Sequence, residues 1–321
     1  MQTLQQISTK PKKITFIQKL SSQKILHLMI LPSLIIVLIF KYIPIAGIVI
    51  AFKDFDIFEG IIKSPWAKNY GFEHFIDLFK DPYFPLIFKN TIIIAFLKLT
   101  FLTLPPVILA IMLNEVKHES FKKVNQTISY LPHFISWIVL GGMFYNLFDP
   151  TTGPVNKLLM SIGLASTPIN FLYQPEYFRA LVVVSDVWKT VGWDSIIYIA
   201  VIASIDQTLY EAIDIDGGGR WAKIRYVIWP SLLGTFMILF IIKVGKLMAG
   251  NEDMFEQCYI FGNFANQSVS EILDTYILKV GLENARYSYA GAAGIVKSFI
   301  NLSALLITNY ISQKLTEKSL F

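Results

Sequence analysis

The sequence has few of the residues that build catalytic and metal sites, and little charge. Its 321 residues include one cysteine and four histidines, which excludes a disulfide framework. Charged residues make up 16% of the chain, against about 25% in ordinary globular domains, whose surfaces face water. Hydrophobic residues reach 54% and the mean hydropathy is +0.52, which excludes a disordered chain. Such a composition is typical of a polytopic membrane protein.

Long apolar stretches take the place of the missing charge. A helix needs roughly 20 mostly apolar residues to cross a bilayer core about 30 Å thick. Six stretches meet or approach that length: 25–52, 89–113, 129–148, 180–205, 227–250 and 290–311. The third is the weakest, and prolines at 32, 44, 105, 106 and 132 predict kinks. The stretches are continuous rather than alternating, which favours helices over the strands of a barrel. The first is too long for a cleavable signal and reads as a span.

We therefore predict an all-α membrane protein, a bundle of six transmembrane helices within residues 25–311. A cytoplasmic N-terminal segment, 1–24, would precede it and a cytoplasmic tail, 312–321, would follow it. The orientation rests on lysines and arginines, which are enriched in cytoplasmic loops. They cluster before the first span, in 115–128, in 206–226 and after the last span, whereas the longer 53–88 and 251–289 loops carry more acid.

The most informative stretch lies between the fourth and fifth spans and reads EAIDIDGGGRWAKIRYVIWP, residues 211–230. It is too polar for lipid. A short amphipathic run, three consecutive glycines and a second short run predict a helix, a tight turn and another helix, since glycine adopts positive φ without strain. Such a unit could dock into a cleft of another protein. The alternatives are a plain solvated connector, or a phosphate-binding loop, which would need a lysine followed by Ser or Thr.

This stretch resembles the EAA loop of type I ABC-importer permeases. The positions that match are Glu211, Ala212, Asp216, Gly217 and Pro230, and those that depart from the usual residues are Ile213, Gly218, Ile224 and Trp229. Further segments, among them SPWAKNYGFEHF, DPTTGPVN and VWKTVGW, resemble the LplB-like or AlgM-like permeases of oligosaccharide and polysaccharide importers. The resemblance covers nearly the whole chain.

The resemblance implies the MetI-like permease fold and a bacterial cytoplasmic membrane location. It also implies four kinds of partner: a second homologous permease, an ATPase dimer, an extracellular solute-binding protein and a carbohydrate cargo. ATP would be bound by the ATPase, so this chain would hold no cofactor and would not be an enzyme. The expected coupling residues are Glu211, Ala212, Asp216, Gly217, Gly218 and Pro230. Glu211 and Asp216 would meet basic groups of the ATPase, Gly217 would allow the turn, and Pro230 would start the fifth span.

Charges within the spans form a second set of candidates, because ionisable side chains are costly in a bilayer. Asp186 and Lys189 are three residues apart and could pair along one helix face. Lys243 and Lys246 crowd one face of the fifth span, where either Asp186 or Asp194 or an acidic cargo could meet them. Three other lysines, at 41, 98 and 297, would extend to the interface or face a neighbouring helix.

By analogy with the family, the sugar path would run beside the helix after the coupling loop. The candidates are Lys243, Lys246, Leu247, Gly250, Asn251, Trp188, Trp193 and Asp194. The two tryptophans could stack on sugar rings or simply pack at the interface. The lysines would favour an anionic, uronate-containing oligosaccharide, but pairing with carboxylates of the fourth span explains them equally well.

Two other classes of protein remain as alternatives. A stand-alone secondary transporter would not need the 211–230 loop, and a membrane-embedded enzyme would need a nucleophile that the group Asp186, Lys189 and Asp194 lacks. The four histidines do not have metal-ligand spacing, and Cys258 is expected to be inert. The basic residues lie at span ends, where topology and contact with lipid explain them without nucleic acid.

Overall fold

The computed structural model describes residues 23–250 and 252–316, and in that part of the chain the architecture is helical. Its helices, in chain order, are α1 (Lys24–Phe52), α2 (Gly60–Lys63), α3 (Glu73–Lys80), α4 (Phe84–Glu115), α5 (Glu119–Phe134), α6 (Trp137–Leu147), α7 (Pro154–Ser161), α8 (Pro175–Ala203), α9 (Gln207–Ile215), α10 (220–250), α11 (Glu252–Phe261), α12 (Gln267–Ser270), α13 (Leu273–Leu278, continued by Lys279–Glu283) and α14 (Tyr287–Thr316). The one β-type pairing in the described residues is an antiparallel bridge between Lys53 and Trp66.

Four of the helices, α1, α4, α10 and α14, are long and apolar enough to cross a membrane alone. Two bent pairs, α5 with α6 and α8 with α9, bring the number to six if each counts as one span. All six predicted stretches therefore coincide with helices of this kind. Helix α14 continues to Thr316, past the predicted boundary at 311. Of the two predicted end segments, residues 1–22 and 317–321 lie outside the described part.

The first span is attached to the bundle at one end. Every residue from 24 to 46 is exposed, and only the last turns of α1 contact other helices, mainly α14. At that contact Gly291 lies against Ala51, where an added Cβ would come within 3.4 Å of the Ala51 Cβ. The helix narrows to 3₁₀ geometry from Ile43, directly before Pro44.

The third span is broken where α5 meets α6, with a bend of 102°. Pro132 lies in the last turn before the break, and proline ends a helix by removing a donor and crowding the preceding turn. Ser136 then caps the new helix, accepting a hydrogen bond from the Val139 N–H at 3.4 Å. Pro132, which the sequence predicts to kink this span, therefore lies next to a complete break in the helix.

Helices α5 and α8 lie in direct backbone contact. A Cβ added to Gly192 of α8 would come within 2.0 Å of the Ser129 carbonyl oxygen of α5. No side chain fits in that space, so glycine is required here for packing rather than for a turn. The contact holds α5 against the half of α8 that leads into α9.

Three clusters of buried apolar side chains hold the bundle together. One joins α4, α6, α8 and α11 around Trp137, Phe178 and Met254. A second joins α3, α4, α13 and α14 around Ile87 and Tyr289. The third joins the ends of α4 and α8 to the start of α10 and includes Val107, Ala110, Tyr198, Ile202, Ile228 and Leu232. This last cluster lies next to the predicted coupling loop, 206–230, whose first part, residues 206–223, is called the 206–223 loop below.

Candidate functional site

The predicted coupling loop begins where α8 ends and the chain turns through 71° into α9. Asp206 caps α9, and its Oδ1 accepts a hydrogen bond from the Thr208 N–H at 2.9 Å. This contact holds the pKa of the Asp206 carboxyl below its ordinary value. A capped start of this kind satisfies one of the free N–H groups of the helix end.

The end of α9 is a hydrogen-bonded glycine turn. Gly217 has φ +72°, and its N–H donates to the Asp214 carbonyl at 3.1 Å. The next N–H, of Gly218, donates to the Ile213 carbonyl at 2.8 Å. These two bonds form the Schellman motif, which closes a helix around a residue of left-handed conformation. The glycine turn predicted from the sequence is present, and Gly217 supplies its positive φ.

Two ion pairs hold α9 and α10 in place. Lys223 Nζ lies 2.6 Å from Asp214 Oδ1, which links the two short arms of the loop. Arg220 Nε lies 3.7 Å from Glu115 Oε2 at the end of α4. Both pairs are largely exposed, so each contributes little stability alone. Together with the turn, they give the loop a defined shape.

The outward side of this loop carries most of the predicted coupling residues. Glu211, Ala212 and Asp216 are exposed, and neither of the two carboxylates makes an ion pair with the residues that the structure describes. Beside them stand two large apolar side chains, Ile215 at 86% exposure and Trp221 at 83%. An exposed isoleucine and tryptophan on a short, polar loop indicate a contact surface for another protein.

Pro230 lies inside α10, as the second residue of its regular α-helical part, Trp229–Gly250. The helix begins at Arg220 and passes through a π-helical turn, Ile224–Ile228, just before the proline. A proline clashes with the carbonyl four residues earlier and offers no N–H to it. The wider turn over these residues lets the helix continue through the proline.

A cavity of about 350 Å³ lies between α4, α8 and α10 and reaches the break of the third span. Its charged lining residues are Asp186, Asp194, Lys243, Lys246 and Asp253. Trp193 lines it too, with its ring stacked on His133 at 4.4 Å between centroids. The structure thus brings together Lys243, Lys246, Trp193 and Asp194 of the predicted substrate-path residues.

Lys243 holds three helices together at this cavity. Its Nζ donates to Asp194 Oδ2 of α8 at 2.9 Å and to the Leu102 carbonyl of α4 at 2.8 Å. The sequence offers two partners for this lysine, an acidic cargo or a carboxylate of the fourth span. The structure shows the pair with the carboxylate. Lys246, one turn further on, is exposed at the cavity. No carboxylate of the described residues lies within ion-pair distance of it.

The remaining predicted path residues lie elsewhere. Trp188 is 45% exposed and is not among the residues that line the cavity. Leu247 and Gly250 belong to the last turns of α10, but their side-chain environment lies outside the described part of the structure, as does all of Asn251.

Asp186 and Lys189 do not pair with each other, although the sequence allowed it. Asp186 Oδ2 lies 2.8 Å from Nζ of Lys98, a fully buried residue of α4. Lys98 also donates to Gln257 of α11, whose own amide donates to the Val182 carbonyl and to Ser185 of α8, both at 3.0 Å. The result is a buried polar cluster that ties α4, α8 and α11 together.

Lys189 instead faces α11 and α6. Its Nζ lies 3.7 Å from Asp253 Oδ1 and 4.8 Å from the centre of the Trp137 ring. The indole N–H of Trp137 donates to the same Asp253 oxygen at 2.6 Å. The third span at its break and the start of α11 are therefore both joined to α8.

Sequence reasoning missed Gln257, Asp253 and His133 as parts of this region, and it left open whether Lys98 extends to the interface or faces a neighbouring helix, as it does here. The sequence does draw attention to Lys98, because it is a lysine deep inside a long apolar stretch. The spacing of residues along the chain does not reveal its partner. Gln257 and Asp253 were assigned to an outer loop, and His133 was considered only as a metal ligand. Among the described residues no group of three His, Cys, Asp or Glu side chains could hold a metal ion.

Comparison with known proteins gives matches along nearly the whole chain. No protein-family model matches it. It is 37% identical over 315 residues to Protein LplB of Bacillus subtilis, covering 98% of this chain and 96% of that protein. It is 38% identical, with the same coverage, to the polygalacturonan/rhamnogalacturonan transport system permease protein YteP of the same organism.

Two solved structures share the fold. One is a bacterial ABC transporter involved in the import of the acidic polysaccharide alginate, with a TM-score of 0.84, 37% identity and coverage of 94% of this chain and 99% of that chain. The other is a bacterial alginate ABC transporter in complex with an alginate pentasaccharide-bound periplasmic protein, with a TM-score of 0.85, 35% identity and coverage of 95% and 99%.

The long apolar helices, the exposed loop and these matches define a multi-pass membrane permease. The chain belongs to the family of sugar ABC transporter permeases. It is a transmembrane subunit of an ABC importer, and permeases of this kind work with a second permease and a separate ATPase subunit. The predicted fold class, the MetI-like permease bundle, and the predicted transport function are thereby confirmed.

Proposed function

We propose that this permease forms half of an import path for an acidic, uronate-containing oligosaccharide. The observation that carries the proposal is the charge balance of the cavity. Of the three carboxylates that line it, Asp186 pairs with Lys98, Asp194 with Lys243, and Asp253 lies near Lys189. Among the described residues Lys246 is left without an ion pair, as a cation exposed to the cavity.

An ammonium that has no ion pair among the described residues is a site for a carboxylate. Charge-assisted hydrogen bonds are about twice as strong as neutral ones. The neighbouring Trp193 offers an apolar ring face, 41% exposed, beside the same cavity. Two relatives support this cargo class, since the transporter containing YteP is named for polygalacturonan and rhamnogalacturonan and the solved importers carry alginate.

The 206–223 loop would receive the motion of the ATPase. Exposed Ile215 and Trp221 would provide the apolar contact, and Glu211 and Asp216 would meet basic groups of the ATPase around them. ATP would bind and react on the ATPase, so the permease itself would hold no cofactor and catalyse no reaction. The ATPase cycle would then shift the bundle between two conformations that open the cavity to opposite sides.

The membrane would be the bacterial cytoplasmic membrane, with both termini and the 206–223 loop on the cytoplasmic side. The lysine and arginine bias supports this orientation. On the opposite side a solute-binding protein would deliver the cargo, as a periplasmic protein does in the alginate importer complex.

The test of the cargo is ATP-driven uptake into proteoliposomes that hold the whole importer with its solute-binding protein. The probes are a trigalacturonate and its methyl ester, which keeps the rings and removes the charge. We expect uptake of the acid by the wild type. With Lys246→Ala that uptake should fall about tenfold, the equivalent of one lost charge-assisted contact of about 1.5 kcal/mol.

Lys246→Arg is the matched control, because it keeps the positive charge and should keep most of the uptake. Equal uptake of the acid and its ester by the wild type would refute an acidic cargo. Equal uptake of the acid by wild type and Lys246→Ala would remove Lys246 from the path.

A further inference from the structure

Two residues in the middle of the 206–223 loop differ from their neighbours in burial. Between Glu211 and Trp221 every residue is exposed except Ile213 and Gly218, which are half-buried. The sequence places both among the positions where the loop departs from the usual EAA pattern. They are five residues apart, a spacing at which helical side chains do not normally meet, so their contact arises from the turn.

The turn brings Gly218 under the side chain of Ile213. A Cβ added to Gly218 would come within 2.5 Å of Ile213 Cγ2, 3.0 Å of the Ile213 carbonyl oxygen and 3.1 Å of Ala222 Cβ. Non-bonded carbon atoms optimally lie about 3.5–4.0 Å apart. The isoleucine methyl therefore occupies the space that any other residue at 218 would need.

Ile213 cannot easily turn away. Its Cγ2 is bonded directly to Cβ, and a β-branched side chain in a helix keeps one χ1 rotamer in about 90% of cases. Rotation would also remove the methyl from its place against Gly218. An alanine at 218 would have to move the whole second arm of the loop, which begins with Arg220 and carries exposed Trp221.

Gly219 provides an internal comparison. A Cβ added there would meet nothing within 4 Å, and its φ of −87° is open to any residue. Gly217 is different again, because its Cβ would also meet open space but its φ is +72°. The three consecutive glycines thus differ in why glycine is present. Gly217 is required by its backbone conformation and Gly218 by packing, and neither reason applies to Gly219.

We propose that Ile213 and Gly218 are a matched large–small pair that sets the angle between the two arms of the coupling loop, and so the position of Trp221 for the ATPase. They are positioning residues, which act through the surface that the loop presents. The glycines do not form a flexible hinge in this arrangement. The proposal rests on the proposed function of the loop as the ATPase contact.

The test is a mutant cycle in the assembled importer, measuring how much ATPase co-purifies with the permease and how fast cargo-stimulated ATP hydrolysis proceeds. Gly218→Ala should lower ATPase retention about fivefold, whereas Gly219→Ala should change it less than about twofold. Adding Ile213→Ala to Gly218→Ala removes the blocking methyl and should restore retention to within about twofold of wild type. Adding Ile213→Val keeps the β-branch and should restore nothing.

Equal effects of Gly218→Ala and Gly219→Ala, or failure of Ile213→Ala to rescue, would overturn the matched pair. A further variant, Ile215→Asp, separates this result from a failure of the proposed function. It places a charge on the exposed surface without touching the contact between Ile213 and Gly218. If Ile215→Asp leaves ATPase retention intact, the loop is not the ATPase contact and the proposed function of the loop fails. If Ile215→Asp abolishes retention while the mutant cycle shows no coupling between positions 213 and 218, only the matched pair is wrong.

Discussion

Two lysines of the apolar bundle look alike in sequence and differ in the structure. Lys98 is fully buried, and its ammonium is enclosed by Asp186 and Gln257. Lys246 stands at an open cavity without an ion pair among the described residues. Lys243 is intermediate, with its side chain 27% exposed and paired to Asp194. A charged side chain within a span therefore holds helices together where its partners enclose it. Where it is open to the cavity, it is a candidate for contact with the cargo.

The largest effect should come from breaking the enclosed pair. Lys98→Met leaves the Asp186 carboxylate buried without its cation, which costs about 3–5 kcal/mol in comparable cases. We expect greatly reduced yield of folded permease and a lower unfolding midpoint in detergent.

The double variant Lys98→Met with Asp186→Leu tests the reason for that loss. It replaces the pair by apolar side chains of similar size, which is often neutral or stabilising. Recovery of the midpoint is expected. A midpoint that stays as low as that of Lys98→Met would mean that Lys98 acts through something other than its carboxylate partner, such as Gln257.

A smaller effect should follow from opening the intermediate pair. Asp194→Asn removes the charge from a half-exposed partner of Lys243 and should cost about 1 kcal/mol of stability. It also leaves a second cation facing the cavity. The concentration of trigalacturonate needed for half-maximal uptake should fall by about threefold, while that for its methyl ester stays unchanged.

The outcome that would contradict this comparison is a loss of stability as large as that of Lys98→Met. Asp194 would then act in the packing of the bundle, as Asp186 does, and not as a lining residue that tunes the charge of the cavity. Asp194→Glu is the control, because it keeps the charge and should leave the preference between acid and ester as in the wild type.

The smallest effect on stability should come from the open lysine. Lys246→Ala removes an exposed side chain that has no ion pair in the described part of the chain, and such changes usually stay within about 0.5 kcal/mol. The unfolding midpoint should equal that of the wild type even though uptake of the acidic cargo falls. A clear loss of stability would place Lys246 in the packing of the bundle.

The sequence predicted the spans and the loop well, because both depend on local patterns. Continuous apolar runs identify the helices, and the glycines after Ile215 identify the turn. The pair of Lys243 with Asp194 was among the alternatives that the sequence offered. The buried cluster could not be predicted, because Lys98 meets Asp186 and Gln257 only after three helices have packed. Spacing suggested the pair of Asp186 with Lys189, since neighbours on one helix are the only contacts that a sequence displays directly.

Prediction from the sequence is limited in the same way for the break at residues 134–137 and for the position of Pro230. A proline signals a disturbance in a helix but not its form. Pro132 stands beside a bend of 102°, whereas Pro230 is accommodated by a π-helical turn. Which of these occurs depends on what the following residues contact, and in the first case Trp137 is held by Asp253.

The first span, α1, is attached to the rest of this chain at one end, so most of its apolar length faces lipid or another subunit of the importer. Its 29 residues, at about 1.5 Å per residue in α-helical form, exceed a hydrocarbon layer about 30 Å thick. A helix longer than the layer it crosses can tilt. Since only its last turns contact α14, such a tilt would leave the walls of the cavity within this chain undisturbed.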